Sequence, residues 1–288
     1  MSASEFISRF EHTVKTTIKS FGLLDRSDKV AVLVSGGKDS TVVLYLLHKF
    51  GYDPISIHMN LGIGEWSNKN EQNVRRFCSE LGVPLTVLNF KELTGTSMRE
   101  LRDIMHLKKG RRLCYTCGIT RRRIFNKVAR ELGATRVATG HNLDDEAQSA
   151  LMNILTGNTL AISRFGPIAN SSGSSKLVPR IKPLFFCPET EVRRYSKLQN
   201  FPVLYQPCPC SYDAFRGEIE KFLNSYGSAS NNLKLTVVQN SLKLKASIKI
   251  PALKALKECS VCGEPSSKKI CKACEILACS DDLNHRFF

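Results

Sequence analysis

No uncharged apolar stretch in the 288 residues approaches the roughly 18 that a membrane-spanning helix requires. The first nineteen residues lack the unbroken apolar run of a secretory signal, because Glu5, Arg9, Glu11 and Lys15 interrupt it. No internal repeat is present. With 42% apolar and 24% charged residues, neither wholesale disorder nor a collagen-like fibre fits. A cytoplasmic protein with no membrane association is the expectation.

Acid is scarce. Twenty-six Asp and Glu face forty-two Lys and Arg, a formal charge of +16. Arg99 to Arg136 holds twelve basic residues against three acids, and Lys221 to Lys257 holds seven lysines and no acid. These two runs carry the whole surplus, so the remainder of the chain is neutral. Two solvated helix faces are the plain alternative. That the runs carry everything, one of them around a cysteine pair, points instead to a nucleic-acid surface with salt-sensitive binding.

Short β-branched runs alternate with helical patterns. After an amphipathic helix over residues 3–24, strands are expected at Lys29–Val34, Pro54–Met59, Leu85–Asn89, Arg136–Thr139 and Lys182–Phe186. Helices are expected at Thr41–Phe50, Asn68–Leu81, Ile119–Leu132, Asp144–Leu155 and Glu189–Gln199. This pattern predicts an α/β protein with a doubly wound parallel sheet. Asn170–Ser175 reads as a polar loop. The chain divides into an N-terminal helix (1–25), a catalytic domain (26–218), a lysine-rich helical region (219–258) and a C-terminal zinc ribbon with its tail (259–288).

Ser35-Gly36-Gly37-Lys38-Asp39-Ser40 lies between the first strand and the next helix, where an open parallel sheet takes ligands. Glycines let backbone approach a phosphate, and the helix start offers N–H groups and a positive dipole end. Lys38 adds charge, and Ser35 and Ser40 add hydroxyls. Asp39 beside phosphates is unfavourable unless it holds a cation, so Mg²⁺ is implied. The spacing is not that of a Walker A loop. Asp144 and Asp145 follow a second glycine turn at Gly140. Plain helix capping is one reading of them; Mg²⁺ organisation or proton transfer is the other, with Asp145 preferred. His141 either contacts nucleotide or closes the turn.

Eight of eleven cysteines are paired in sequence, which in a chain without an export signal reads as metal ligation. Cys259, Cys262, Cys271 and Cys274 have the spacing of a closed Cys₄ zinc ribbon. Cys114 and Cys117 form another pair, and Cys208 and Cys210 a third. These last four make a structural zinc site in one reading; a redox dithiol is a weaker one.

The motifs together resemble one family. SGGKDS resembles the PP-loop ATP pyrophosphatase signature, and Thr139–Gln148 the GHNxDD element of its tRNA-thiolating branch. Arg112–Gly118 with Arg121–Arg123 resembles the CxxCG element of the tRNA 2-thiouridine synthetases (the TtuA- and NcsA-like group), and Cys208–Arg216 resembles their CxYxxxAxR segment. The resemblance spans roughly residues 25–276, with the motifs in family order. It implies adenylation of a uridine C2 oxygen with ATP, then replacement of that oxygen by sulfur. Cys114, Cys117 and Cys208 would hold a 4Fe–4S cluster with one iron lacking a protein ligand. Asp39, Asp144, Asp145 and Arg121 are the catalytic candidates. Ser35, Gly36, Gly37, Lys38, Ser40, His58, Gly140 and His141 would bind nucleotide. An aromatic or apolar slot near Tyr115 would take the target base. tRNA, sulfide or a sulfur-carrier thiocarboxylate, and a second copy of the chain are the implied partners. Cys210 stands where the family more often has an aromatic residue, and the N-terminal helix stands where it has another zinc finger. Competing readings are a cytidine thiolase, an amine-attaching sibling and a non-catalytic zinc-ribbon RNA-binding module.

Overall fold

Elements follow one another as α1 (Ala3–Ser20), β1 (Val30–Leu33), α2 (Lys38–Lys49), β2 (Ile55–Asn60), α3 (Gly64–Leu81), β3 (Leu85–Asn89) and α4 (Phe90–Thr94). Next come α5 (Met98–Lys109), α6 (Leu113–Glu131), β4 (Arg136–Ala138), α7 (Leu143–Leu155), α8 (Thr159–Ser163), β5 (Ile168–Ala169), β6 (Arg180–Ile181) and α9 (Glu189–Leu198). The chain continues as α10 (Ala214–Gly227), α11 (Asn232–Ser247), β7 (Lys257–Glu258), β8 (Pro265–Ser266) and α12 (Lys272–Leu277). This computed structural model describes residues 1–109, 113–169, 174–210, 214–227, 232–248 and 255–279. Arg111, Arg112, most of the polar loop at 170–175, Ser211–Asp213, Lys249, Lys254 and the tail from 280 lie outside the described residues.

Strands β1 to β6 form one sheet in the order β3-β2-β1-β4-β6-β5, parallel except for the edge strand β5. The doubly wound expectation holds. Crossovers from β1 run to β2 and then β3 on one side, while β4 and β6 lie on the other. The strand order therefore reverses between β1 and β4, which opens a crevice at their carboxyl ends. Val30, Ala31 and Val32 are wholly buried, as a central strand covered on both faces requires.

The expected strand at Lys182–Phe186 is a correction. The strand is Arg180–Ile181, and the chain then turns, with Phe185 N–H donating to Lys182 O and Cys187 N–H to Leu184 O. Pro183 has no N–H to give a ladder, so the apolar run buries Leu184 and Phe185 from a turn instead. Helix α5 went unread because it lies inside a basic run.

Helix α1 is fixed by a capping box between Ser2 and Glu5 and buries Phe6, Phe10, Val14 and Ile18. The Glu11 carboxylate accepts from the Tyr195 hydroxyl and the Lys49 amine, both at 2.6 Å, tying α1 to α9 and α2. At the other end, α10 and α11 pack on α7 through Ile219, Leu223 and Val238. The C-terminal cysteine module docks on α6, with Ile276 and Leu277 entering the core under the sheet. No helix of the described residues is long and apolar enough to cross a membrane.

Candidate active site

The SGGKDS turn joins β1 to α2. Gly36 has φ +85°, and a Cβ there would stand 2.4 Å from Asn70 Oδ1, so only glycine fits against α3. Gly37 caps α2 and has no side chain to bond the first helical N–H groups, which leaves the helix start facing the crevice. Ser35 N–H donates to Ser40 Oγ at 3.0 Å, and the two hydroxyls lie 3.1 Å apart. Lys38 Nζ contacts Asp39 at 3.0 Å and Glu189 at 2.8 Å. Burial pulls this amine's pKa down, but the two carboxylates outweigh it and hold Lys38 above the ordinary lysine value.

The second turn meets the first at close quarters. A Cβ on Gly140 would lie 2.6 Å from Ser40 N, so the loop after β4 rests directly on the start of α2. Asn142 caps α7 in a box with Asp145 and donates to Asp39 Oδ1 at 3.0 Å. The two neighbouring acids then part. Asp144 is buried, ion-paired with Lys234, and accepts from Glu189 N–H at 2.8 Å. Asp145 lines the crevice with Asp39 and Ser40. Burial and then the charge of Asp39 push its carboxyl up to about 6, against the Asn142 N–H and Arg216. His141 opens onto the same crevice and bonds Thr139 Oγ1 at 2.9 Å. Its side chain is exposed, yet desolvation by the surrounding protein, then Lys182, Arg180, Arg122 and Arg216, lower its pKa, so the imidazole is neutral at pH 7.

Two cavities flank the turn, sharing Leu33, Ser35, Gly118, Arg121 and Phe125. The wider, about 590 Å³, is lined by Asp39, Asp145, Arg122 and Arg180 among others. The narrower, about 230 Å³ and mostly apolar, is lined by Cys114, Cys117, Cys208 and Cys210. Cys208's thiol is raised, first by burial, with Cys210, Cys117 and Cys114 adding to it. No three of these cysteines bring ligand atoms within 4.8 Å of one another. His58 lines this narrower cavity. Its Nδ1 meets Val34 O at 2.8 Å and must donate, because a carbonyl only accepts, so Nε2 carries a lone pair. That Nε2 is buried without a partner, as are Trp66 Nε1, Asn70 Oδ1 and Arg121 Nε. Orphaned polar atoms in an apolar cavity call for a polar ligand. Tyr115 is exposed and lines neither cavity.

The C-terminal module is the contrasting site. Among the described residues only Cys259, Cys262, Cys271 and Cys274 gather within single-ion range. Sulfur separations among them include 3.9 Å (Cys259–Cys274), 3.7 Å (Cys262–Cys271) and 3.4 Å (Cys271–Cys274). A tetrahedral zinc with bonds of about 2.3 Å sets sulfurs about 3.8 Å apart, so the donor set fits that ion. Arg123 Nε donates to Cys262 Sγ at 3.3 Å, binding the module to α6.

Several site residues escaped the sequence reading: Glu189, Lys234, Trp66, Asn70 and Arg180. Each reaches the site by tertiary packing, and no local spacing marks it.

An α/β sheet with a glycine-rich phosphate turn at its switch point defines an ATP-handling nucleotide-binding protein. The PP-loop domain model matches residues 6–206. The chain is 36% identical to the tRNA-5-methyluridine(54) 2-sulfurtransferase of Pyrococcus horikoshii, covering 98% of this chain and 88% of that one. It is 31% identical to cytoplasmic tRNA 2-thiolation protein 1 of Caenorhabditis elegans, covering 94% and 73%. Among solved structures, the U34-tRNA thiolase NcsA of Methanococcus maripaludis, determined with its [4Fe–4S] cluster, superposes with a TM-score of 0.79 at 31% identity, covering 94% and 87%. The chain belongs to the PP-loop family and, within it, to the tRNA 2-thiolation proteins.

Proposed function

We propose that this protein is a cytoplasmic tRNA-uridine 2-sulfurtransferase. The observation that carries the reading is the meeting of phosphate turn, acidic turn and cysteine cavity at one switch point, with Arg121 in the wall between the two cavities. The names of the relatives support it.

ATP would lay its phosphates on Ser35–Ser40, with Lys38 released from Glu189 to meet them. Asp39 and Asp145 suit Mg²⁺, being two carboxylates on one crevice wall. The uridine C2 oxygen attacks the α-phosphorus and pyrophosphate leaves, its growing charge met by the turn's N–H groups and hydroxyls. Sulfide then adds at C2, and AMP departs with the former C2 oxygen. Cys114, Cys117 and Cys208 would hold a 4Fe–4S cluster, which supplies an iron open to exogenous sulfide. These thiols share a cavity yet stand too wide for one ion, which favours a cluster over a Cys₄ zinc site. Zn²⁺ belongs instead at Cys259, Cys262, Cys271 and Cys274, where it would stiffen the docked module. The neutral imidazoles of His58 and His141 bring no extra charge to the site. Sulfide, free or from a carrier thiocarboxylate, is the donor, and a homodimer is the expected state.

The test is anaerobic incubation of cluster-loaded protein with tRNA, ATP and sulfide. Pyrophosphate release and 2-thiouridine by nucleoside mass spectrometry are expected, and mapping identifies the position. Release of pyrophosphate without thiolated nucleoside would overturn sulfur transfer. Tight tRNA binding with neither product would leave the zinc-ribbon RNA-binding module.

A further inference from the structure

Four cations around the two turns are paired. Lys38 meets Asp39 and Glu189, Lys182 meets Glu146, Lys234 meets Asp144, and Arg216 stands 3.7 Å from Asp145. Arg121, in the wall between the two cavities, has an unpartnered Nε, and Arg122 and Arg180 differ as well. The latter two line the wider cavity, and among the described residues neither guanidinium has a hydrogen-bond or carboxylate partner. They come from separate elements, α6 and β6, so no single helix face explains their meeting. Both side chains are exposed on the cavity wall. Two unpaired guanidinium ions on one cavity wall, both open to solvent, are free to take an anion that enters it.

ATP phosphates are a poor match for that anion. Their cradle is the turn after β1, which has its own lysine and helix start. Arg180 lies on the far side, on β6, which pairs with β4 rather than with β1. The cavity between them extends to Glu264 and Pro265 of the docked module, so its outer wall is built by a separate part of the chain. A substrate strand that reaches the crevice brings a phosphate on either side of the target base.

The geometry points to Arg122 and Arg180 as a clamp for a phosphodiester of the RNA strand, next to the nucleotide whose base enters the crevice. A planar fork from each arginine suits the paired oxygens of a phosphate. This assignment rests on the proposed tRNA substrate.

The test uses metal-loaded protein and an unmodified tRNA transcript. Binding is measured by filter retention across a salt series, and ATP binding separately by equilibrium dialysis without tRNA. Arg122→Gln and Arg180→Gln are each expected to weaken tRNA binding about 10-fold and to lower the salt slope by about 1, with ATP affinity within about 2-fold of the unaltered protein. Arg180→Lys should restore the salt slope but only part of the affinity, since the charge returns without the fork. Either Gln variant should melt no lower than the parent, because a repulsion is removed. Unchanged tRNA affinity and slope in both Gln variants would overturn the clamp alone. Lost ATP binding with tRNA binding kept would overturn it in favour of nucleotide phosphate. Failure of the unaltered protein to bind tRNA would overturn the clamp together with the proposed function.

Discussion

Helix α6 serves two cysteine sites of opposite character. At its start, Cys114 and Cys117 face a cavity where His58, Trp66, Asn70 and Arg121 leave polar atoms unpaired. Further along, Arg123 and Arg130 grip the C-terminal module, whose sulfurs lie at single-ion spacing and whose Glu264 accepts from both Arg130 and Asn126. The second site is closed, its four sulfurs gathered about one position, as a structural centre should be. The first is open and unsatisfied, as a site awaiting ligands should be. The same residue type therefore does different work, decided by how many partners the surroundings provide.

Single cysteine replacements break this contrast most sharply. Cys117→Ala is expected to lower thiolation at least ~100-fold and to remove iron while zinc stays near one per chain, measured by metal analysis of anaerobically purified protein. Cys271→Ser should do the reverse, losing zinc while the sheet stays folded. Freeing the module withdraws Ile276 and Leu277, both buried, from the core, at a cost of roughly 3 kcal/mol seen as a lower melting temperature. Iron lost from Cys271→Ser with zinc retained would invert the comparison.

Cys210→Ala sharpens it. The Cys210 carbonyl lies 3.8 Å from Cys114 Sγ, so its backbone already takes part through a weak sulfur contact. Removing the thiol should leave thiolation within about 5-fold, since the backbone carbonyl survives. Loss of all bound metal from this variant would restore the four-thiolate reading of the first site.

Legibility followed the same division. The module's spacing and the SGGKDS turn are local patterns, and a local pattern can be read from sequence. The doubly wound sheet was readable because β-branched runs and helices alternate. The Lys182–Phe186 run looked like a strand because five residues with three apolar members suit either a strand or a buried turn, and only Pro183 argued otherwise. Asp144 and Asp145 are adjacent in sequence, yet Lys234 and the start of α9 take one of them and leave the other in the crevice. No spacing encodes that choice. Arg180 was invisible for a related reason, since its place depends on β6 pairing with β4.

The smallest effects carry opposite signs and come from two carboxylates, Glu264 of the module and Asp145 of the wider cavity. At the module, burial raises the Glu264 pKa, but the hydrogen bond and charge of Arg130, the Asn126 hydrogen bond and the charge of Arg123 together outweigh it, so the folded value lies below the ordinary 4.5. Such a group stabilises the fold above its unfolded pKa and loses that contribution as pH falls through the folded one. Glu264→Gln should therefore cost about 1–2 kcal/mol at pH 7 and progressively less in acid. Asp145 runs the other way. Its pKa, raised to about 6 from an ordinary 3.8, means that the fold penalises the ionised form. The penalty is absent below about pH 4, grows up to pH 6 and is complete above it. The shift corresponds to about 3 kcal/mol as a ceiling; with the side chain 36% exposed, solvent screening reduces this to about 1 kcal/mol. Asp145→Asn keeps an oxygen for the Asn142 N–H, so in chelator-treated protein it should raise the melting temperature at pH 8, leave it unchanged near pH 4 and abolish thiolation throughout. A melting temperature that falls at pH 8 would make Asp145 a structural partner of Arg216, and the wider cavity's carboxylate would then be as satisfied as the module's.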